Sequence, residues 1–369
     1  MPAHAPISVP AQLPAVPADL TGRDSEIAEL RGQLRRDDPA GTRATGAMPT
    51  CVVTGGSGVG KSTLALRVAH DMAVHFPDGQ LYADLRGSTS TPAQAADVLG
   101  RFLRALDAGG ALPECLDERA ERFRTVLAGR RVLVLLDDAA DEPQVRPLLP
   151  GGSYNAVVVT ARRRLSGLAG ATHLDLGMLA EPDAVRLLAR VAGEKRVADD
   201  PLGARDIVAL CGLLPLAVRI VGARLAARPH WTLASMISRL ADESRRLSEL
   251  AVADQQVTAG IAATYRGLGS DARTALRCLS WLGLPDFPAW IIAPLLDIPL
   301  GDADAAAEGL IDAKAIDFVR VDPLGLPRYR IHELIRVYAA QQAHQHDNRD
   351  LLTHRCGGSC SPGCGSSVS

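Results

Sequence analysis

Gly55-Gly56-Ser57-Gly58-Val59-Gly60-Lys61-Ser62-Thr63 follows the apolar run Cys51-Val52-Val53 and precedes Leu64-Ala65-Leu66-Arg67-Val68-Ala69: strand, glycine loop, helix. The spacing fits G-x-x-x-x-G-K-[ST], in which backbone N–H groups close round a phosphate while the next helix turns its positive end to the same point. On this reading Gly55, Gly56, Ser57, Gly58, Val59, Gly60 and Thr63 cradle the anion. Lys61 neutralises its outer charge and Ser62 holds Mg²⁺. The plain alternative is a glycine-rich turn carrying a lysine by chance. Lysine's scarcity weighs against it, because Lys61, Lys195 and Lys314 are the only ones in the chain.

The 369 residues are enough for two or three domains and a substantial core. A composition 47% hydrophobic and 22% charged is that of a soluble globular protein. With a formal net charge of −2, no global basic field draws the chain to nucleic acid or to an anionic membrane. No apolar run approaches the length of a membrane span. Pro2, Pro6, Pro10, Pro14 and Pro17 break the N-terminus in a way unlike a signal peptide, so a cytoplasmic location is expected. Cys51, Cys115, Cys211 and Cys278 stand singly among apolar residues and read as small buried thiols. Cys356, Cys360 and Cys364, with His354 nearby, sit in a Gly/Ser tail without zinc spacing, which predicts disorder there.

Outward from the loop, residues 1–19 form a Pro/Ala-rich arm expected to be extended. A helix is predicted from Asp24 or Ser25 as cap, with Ile27, Leu30 and Leu34 on one face. Strands are predicted at Gly79–Leu85, Arg131–Leu136, Ala156–Thr160 and about Thr172–Leu176, with helices between. The continuous apolar runs among them suit strands buried on both faces of a parallel sheet. Alternating strands and helices define an α/β, P-loop NTPase parallel sheet with helices on both faces, which binds ligands beyond the carboxyl ends of its strands. From about Leu179 the pattern turns helical. It ends in two strand-like pieces, Ile316–Val321 and Tyr329–Ile331, which with the preceding helices describe a winged helix. The expected domains are 20–178 (nucleotide-binding), 179–250 (helical) and 251–345 (winged helix), before a tail at 346–369.

Asp137 and Asp138 stand where an apolar strand meets the ligand edge of the sheet. Asp137 would act on Mg²⁺ and Asp138 would polarise an attacking water, although two acids after a strand also serve as plain helix caps. Arg162 leaves the next core strand at the same edge and is placed to touch a γ-phosphate; its neighbours Arg163 and Arg164 read as a solvated face.

Gly22-Arg23, Gly55 to Thr63, Leu135-Leu136-Asp137-Asp138, Thr160-Ala161-Arg162, Cys211-Gly212-Leu213-Leu214-Pro215-Leu216-Ala217 and Ile331-His332-Glu333, in that order, resemble the NB-ARC branch of the STAND nucleotide-switch ATPases. The likeness is greatest to the NB-ARC modules of actinobacterial antibiotic-regulatory transcription factors, and it covers about Leu20 to Ala343. It implies an ATP/ADP switch with slow hydrolysis: closed on ADP, open and homo-oligomeric on ATP, and answering to an unknown protein signal or effector. It also implies that Arg23 lies by the adenine or ribose, that Pro215 packs on the base, and that His332 reaches the β-phosphate. Plain alternatives are a helix-start arginine, a helix-opening proline and a polar core histidine. Leu213 replaces a family glycine, so the backbone near the base is expected to differ; Ile331 and Glu333 depart mildly from the usual Met and Asp.

Two further readings stay open. One is a DNA-binding regulator using Arg320, Arg328 and Arg330 near the wing, disfavoured because Asp302, Asp304 and Glu308 make the candidate recognition helix acidic. The other is a truncated copy that keeps the fold without signalling.

Overall fold

The computed structural model describes residues 9–35, 47–252 and 255–347. These fall into two compact units, one of residues up to 55 with 59–177, the other of 56–58 with those from 178 onward. The groups expected at 179–250 and 251–345 both lie in the second unit. Most of the tail expected from residue 346, including its cysteines and His354, lies outside the described residues.

The first unit runs α1 (Asp24–Leu34), β1 (Thr50–Thr54), α2 (Lys61–Met72), β2 (Gln80–Asp84), α3 (Ala95–Ala105), α4 (Leu116–Leu127), β3 (Leu133–Ala139), the short α5 (Glu142–Val145), β4 (Ala156–Ala161) and β5 (Thr172–Asp175). Its five strands lie in the order β2-β3-β4-β1-β5, all parallel. Every residue of β1 and β4 is buried, which is why those segments read as unbroken apolar runs. Val52, Val134, Leu136, Val157 and Val159 share a core with Leu99 and Phe102 of α3 and Phe123 of α4. Side chains alternate across a strand, so the other face is left to α1 and α2, which pack on β1, β3 and β4.

Two expectations change here. Helix α1 begins at Asp24 with Arg23, not Asp24 or Ser25, at its N-cap and no side-chain cap. Arg23 takes that place because its guanidinium is drawn inward to backbone carbonyls. Cys115 is exposed, at the N-cap of α4, while Cys51, Cys211 and Cys278 are buried as expected. The arm is extended from Val9 and docked. Ala11 bridges Gln80 in parallel, Gln80 N–H donates to Pro10 O at 2.7 Å, and Gln12 N–H to Gln80 O at 3.0 Å, so the arm lines the outer edge of β2.

The second unit runs α6 (Glu181–Ala192), α7 (Glu194–Asp199), α8 (Pro201–Leu210), α9 (Pro215–Ala226), α10 (Leu233–Ala241), α11 (Glu243–Glu249), β6 (Ala251–Val252), β7 (Gln255–Gln256), α12 (Val257–Gly267), α13 (Ser270–Leu282), β8 (Phe287–Pro288), α14 (Ile292–Leu296), α15 (Leu300–Asp312), β9 (Ile316–Val321), β10 (Pro327–Ile331) and α16 (Glu333–His346). Strands β8, β10 and β9 form an antiparallel sheet in that order. Leu276, Leu279, Phe287, Leu295 and Leu310 make the core beneath it. Among the described residues no helix is long and apolar enough to cross a membrane.

Candidate functional site

In the first unit the strand order builds the site. Strand β4 lies between β1, which feeds the glycine loop, and β3, which carries the two acids, so their carboxyl ends converge. Gly55 (φ +149°) must be glycine, because a Cβ there would lie 2.4 Å from the Leu176 carbonyl oxygen. Gly60, left-handed at φ +96°, caps α2, whose first turn carries Lys61, Ser62 and Thr63. The Ser62 hydroxyl donates to Asp137 Oδ1 at 2.7 Å, and Thr160 Oγ1 bonds the same oxygen. Tyr82 OH approaches Asp137 Oδ2 at 3.5 Å; burial, then the Asp137 charge, pushes that phenol's pKa up.

Both acids lie inside β3 rather than beyond it, and the β3–β4 register shifts between Leu136 and Ala139. The irregularity falls at Asp138, left-handed at φ +53°, and a break of this kind re-aims side chains beside a site. Asp138 N–H donates to Thr160 Oγ1 at 2.9 Å.

Lys61 Nζ donates to Gly55 O at 3.0 Å. Burial, helped by the Arg162 charge and opposed by Asp138 and Asp137, brings its pKa down to about 8. Burial also lowers the Arg162 pKa, against the pull of Asp138. Arg163 and Arg164 are exposed, as expected for a solvated pair. Lys61, Ser62, Asp137, Asp138 and Arg162 therefore form one cluster of alternating charge. The hydroxyl of Ser62 and the carboxylate of Asp137 offer the hard oxygen ligands that suit Mg²⁺.

Arg23, 5% exposed, donates from Nη2 to Val59 O (3.2 Å) and Gly177 O (2.6 Å) and pairs through Nη1 with Glu26 at 2.9 Å. It ties the glycine loop to the segment after β5.

In the second unit, Leu216 N–H donates to Gly58 O at 3.2 Å, and Pro215 opens α9. Gly56 and Ser57 line a cavity of about 20 Å³, the size of one water, together with Leu214, Thr264, Lys314 and His332. His332 Nε2 lies 2.9 Å from Gly212 O. A carbonyl only accepts, so Nε2 carries the proton and the neutral ring keeps an acceptor at Nδ1. Burial pushes the His332 pKa down. Leu213 takes φ +57°, left-handed without being glycine.

Sequence reasoning missed Ser88, which bonds Asp138, and Arg246, which pairs with Glu333. Their partners lie 50 and 87 residues away, beyond any local pattern.

A five-stranded parallel sheet with this loop and these acids at its carboxyl edge is a P-loop NTPase domain. Residues 20–198 match the family model described as the NB-ARC domain, so the chain carries an NB-ARC domain. The chain is 46% identical over 332 residues to "Regulatory protein AfsR" of Streptomyces coelicolor, a match that covers 89% of this chain and 33% of that protein. It thus spans about a third of the length of such relatives. Among solved structures it resembles the Walker-type ATPase of Pyrococcus abyssi (TM-score 0.55, 13% identity, 88% of this chain and 97% of that one). It also resembles the Aeropyrum pernix ORC2 protein, solved as ADPNP–ADP complexes (TM-score 0.52, 13% identity, 94% and 96%). At such identities these two likenesses concern the fold alone.

Proposed function

We propose that this chain is the nucleotide-dependent switch of a regulatory protein. It binds ATP or ADP at Gly55–Thr63, hydrolyses ATP slowly, and uses nucleotide identity to set its domain arrangement and self-association. The observation that carries the reading is the Ser62–Asp137 hydrogen bond of 2.7 Å, formed beside Lys61 and Arg162. When bound, Mg²⁺ would be held by Ser62 and Asp137 and would supply charge neutralisation at the phosphates. Lys61 then faces the phosphates, Arg162 the γ-phosphate, and Asp138 the attacking water. Arg23, with its guanidinium on the Val59 and Gly177 carbonyls, sets the loop from which the base is approached; Pro215 and His332 belong to the nucleotide-sensing part of the second unit. The neutral His332 ring would need to gain a proton, or turn its Nε2–H from Gly212, to bond a phosphate.

The likeness to AfsR supports a regulatory output, which we read as transcriptional and intracellular. Helices α13 to α15 followed by the β9–β10 hairpin support reading 251–345 as a winged helix, after a helical domain at 179–250. Direct DNA binding through the wing is disfavoured further, because Asp286 ion-pairs with both Arg320 (3.0 Å) and Arg328 (2.7 Å). The test is mass spectrometry of nucleotide released from the denatured purified protein, with calorimetric titration of ATP and Mg²⁺. Bound ADP or ATP is expected; protein that neither carries nor binds nucleotide overturns the reading.

A further inference from the structure

The turn after β2 reaches over β3 and grips the acid assigned above to the water. Leu85 N–H donates to Asp137 O at 2.7 Å and Gly87 N–H to Asp138 O at 2.6 Å. Ser88 then gives Asp138 Oδ2 two hydrogen bonds, from its N–H at 2.9 Å and its hydroxyl at 2.6 Å. The fit is backbone on backbone: a Cβ on Gly87 would lie 2.2 Å from Ala140 N and 2.5 Å from Ala139 C. Arg86, at φ +50°, and Asp138, at φ +53°, are both left-handed without being glycine, so turn and strand hold each other in conformations neither favours alone.

A carboxylate oxygen has about two lone-pair directions, and both on Oδ2 are taken by Ser88. Hydrolysis forms a bond from the water oxygen to the γ-phosphorus and breaks the bond from that phosphorus to the bridging oxygen. The electron pair of the broken bond stays on ADP, and the water proton passes to a carboxylate oxygen. Such a base must point a free lone pair at the water, within about 3 Å. We propose that Ser88 is a positioning residue that holds the Asp138 carboxylate by Oδ2, leaving only Oδ1 to take the water proton, and that this grip keeps turnover slow. The proposal rests on the ATPase reading above.

The test is steady-state ATP turnover with Mg²⁺ in the full chain, alongside calorimetric ATP binding, for wild type, Ser88→Ala and Ser88→Thr. Releasing one hydrogen bond to the base is expected to raise kcat roughly three- to ten-fold. KM should stay unchanged, and Ser88→Thr, which keeps the hydroxyl, should stay near wild type. A kcat in Ser88→Ala equal to or below wild type, with ATP binding intact, overturns the role of Ser88 and leaves the switch reading standing. A wild-type chain that binds no ATP overturns both. Should circular dichroism show Ser88→Ala unfolded, Ser88→Cys, similar in size but a weaker donor, carries the same expectation of raised kcat.

Discussion

Arg246, 4% exposed, places Nη1 2.6 Å from Glu333 Oε1 and donates from Nε to Leu240 O at 2.5 Å, pinning α11 to the start of α16 within the second unit. Glu333 also receives Arg336 at 2.9 Å, and Arg336 pairs in turn with Glu243. The Arg336 hydrogen bonds, then the Arg246 contact, hold the Glu333 carboxyl below the usual carboxylate range.

Removing Glu333 strands a buried guanidinium. A fully buried pair broken this way costs about 3–5 kcal/mol. The Glu333 side chain is 35% exposed, so solvent screening reduces the expectation to roughly 1–3 kcal/mol for Glu333→Gln, measured by urea unfolding. Adding Arg246→Met should recover part of that loss, because the unpaired charge goes too. The contribution of Glu333 is present above its unfolded pKa and is lost as pH falls through its lower folded value. The difference in stability between wild type and Glu333→Gln should therefore shrink below about pH 4.

His332 has the opposite chemistry and the same sign. Burial lowers its pKa, so the unfolded chain binds more protons in the interval between the folded value and about 6.5. Stability from the neutral ring is full above that interval and falls as pH drops through it. The melting temperature of wild type should decline between pH 7 and pH 5 more steeply than that of His332→Gln, which keeps a donor for the Gly212 carbonyl. Parallel profiles for the two proteins would contradict the buried neutral ring.

Lys61, with a pKa near 8, must be protonated to neutralise a phosphate. ATP affinity should therefore weaken as pH rises from 7 to 9.5, the decline setting in near the unliganded lysine's value of about 8. Lys61→Arg should bind ATP with a flatter profile over that range, since guanidinium stays charged. Lys61→Ala should lose binding altogether. Asp138→Ala should keep binding and lose turnover; equal turnover would remove Asp138 from the chemistry.

Legibility in the sequence followed how locally each feature is encoded. Val132 to Leu136 and Val157 to Val159 were readable as core strands because short, Val-rich, continuous apolar runs suit a strand buried on both faces. The loop at Gly55–Thr63 was readable because its glycines and Lys61 fall within one short stretch at fixed spacing. Helix α11 and strand β8 were not, being seven and two residues long, too short to show a period. The inward turn of Arg23 onto the Gly177 carbonyl, 154 residues on, has no sequence signal, and neither has the grip of Ser88 on Asp138. Such contacts come from tertiary register, which composition and spacing do not carry.

Leu213 tests the balance between side-chain packing and backbone strain. It follows Gly212 (φ +62°) at φ +57°, its N–H bonded to Val208 O at 3.0 Å and its carbonyl accepting from Leu179 N–H at 3.1 Å. A non-glycine residue in this region costs about 1–2 kcal/mol. Leu213→Gly relieves that strain, loses about 0.5–1 kcal/mol of backbone entropy, and gives up the burial of a partly buried side chain. The sum should lie within about 1 kcal/mol of wild type, although a whole isobutyl group is deleted. Leu214, the next residue, is 3% exposed with an ordinary φ of −77°, so Leu214→Ala should cost the full ~2–5 kcal/mol of a core truncation. Leu213→Val, β-branched where φ is positive, should destabilise by roughly 1–2 kcal/mol despite its similar polarity. Urea unfolding of the three variants ranks them; a Leu213→Gly loss as large as that of Leu214→Ala would show that side-chain packing, not backbone geometry, governs this position.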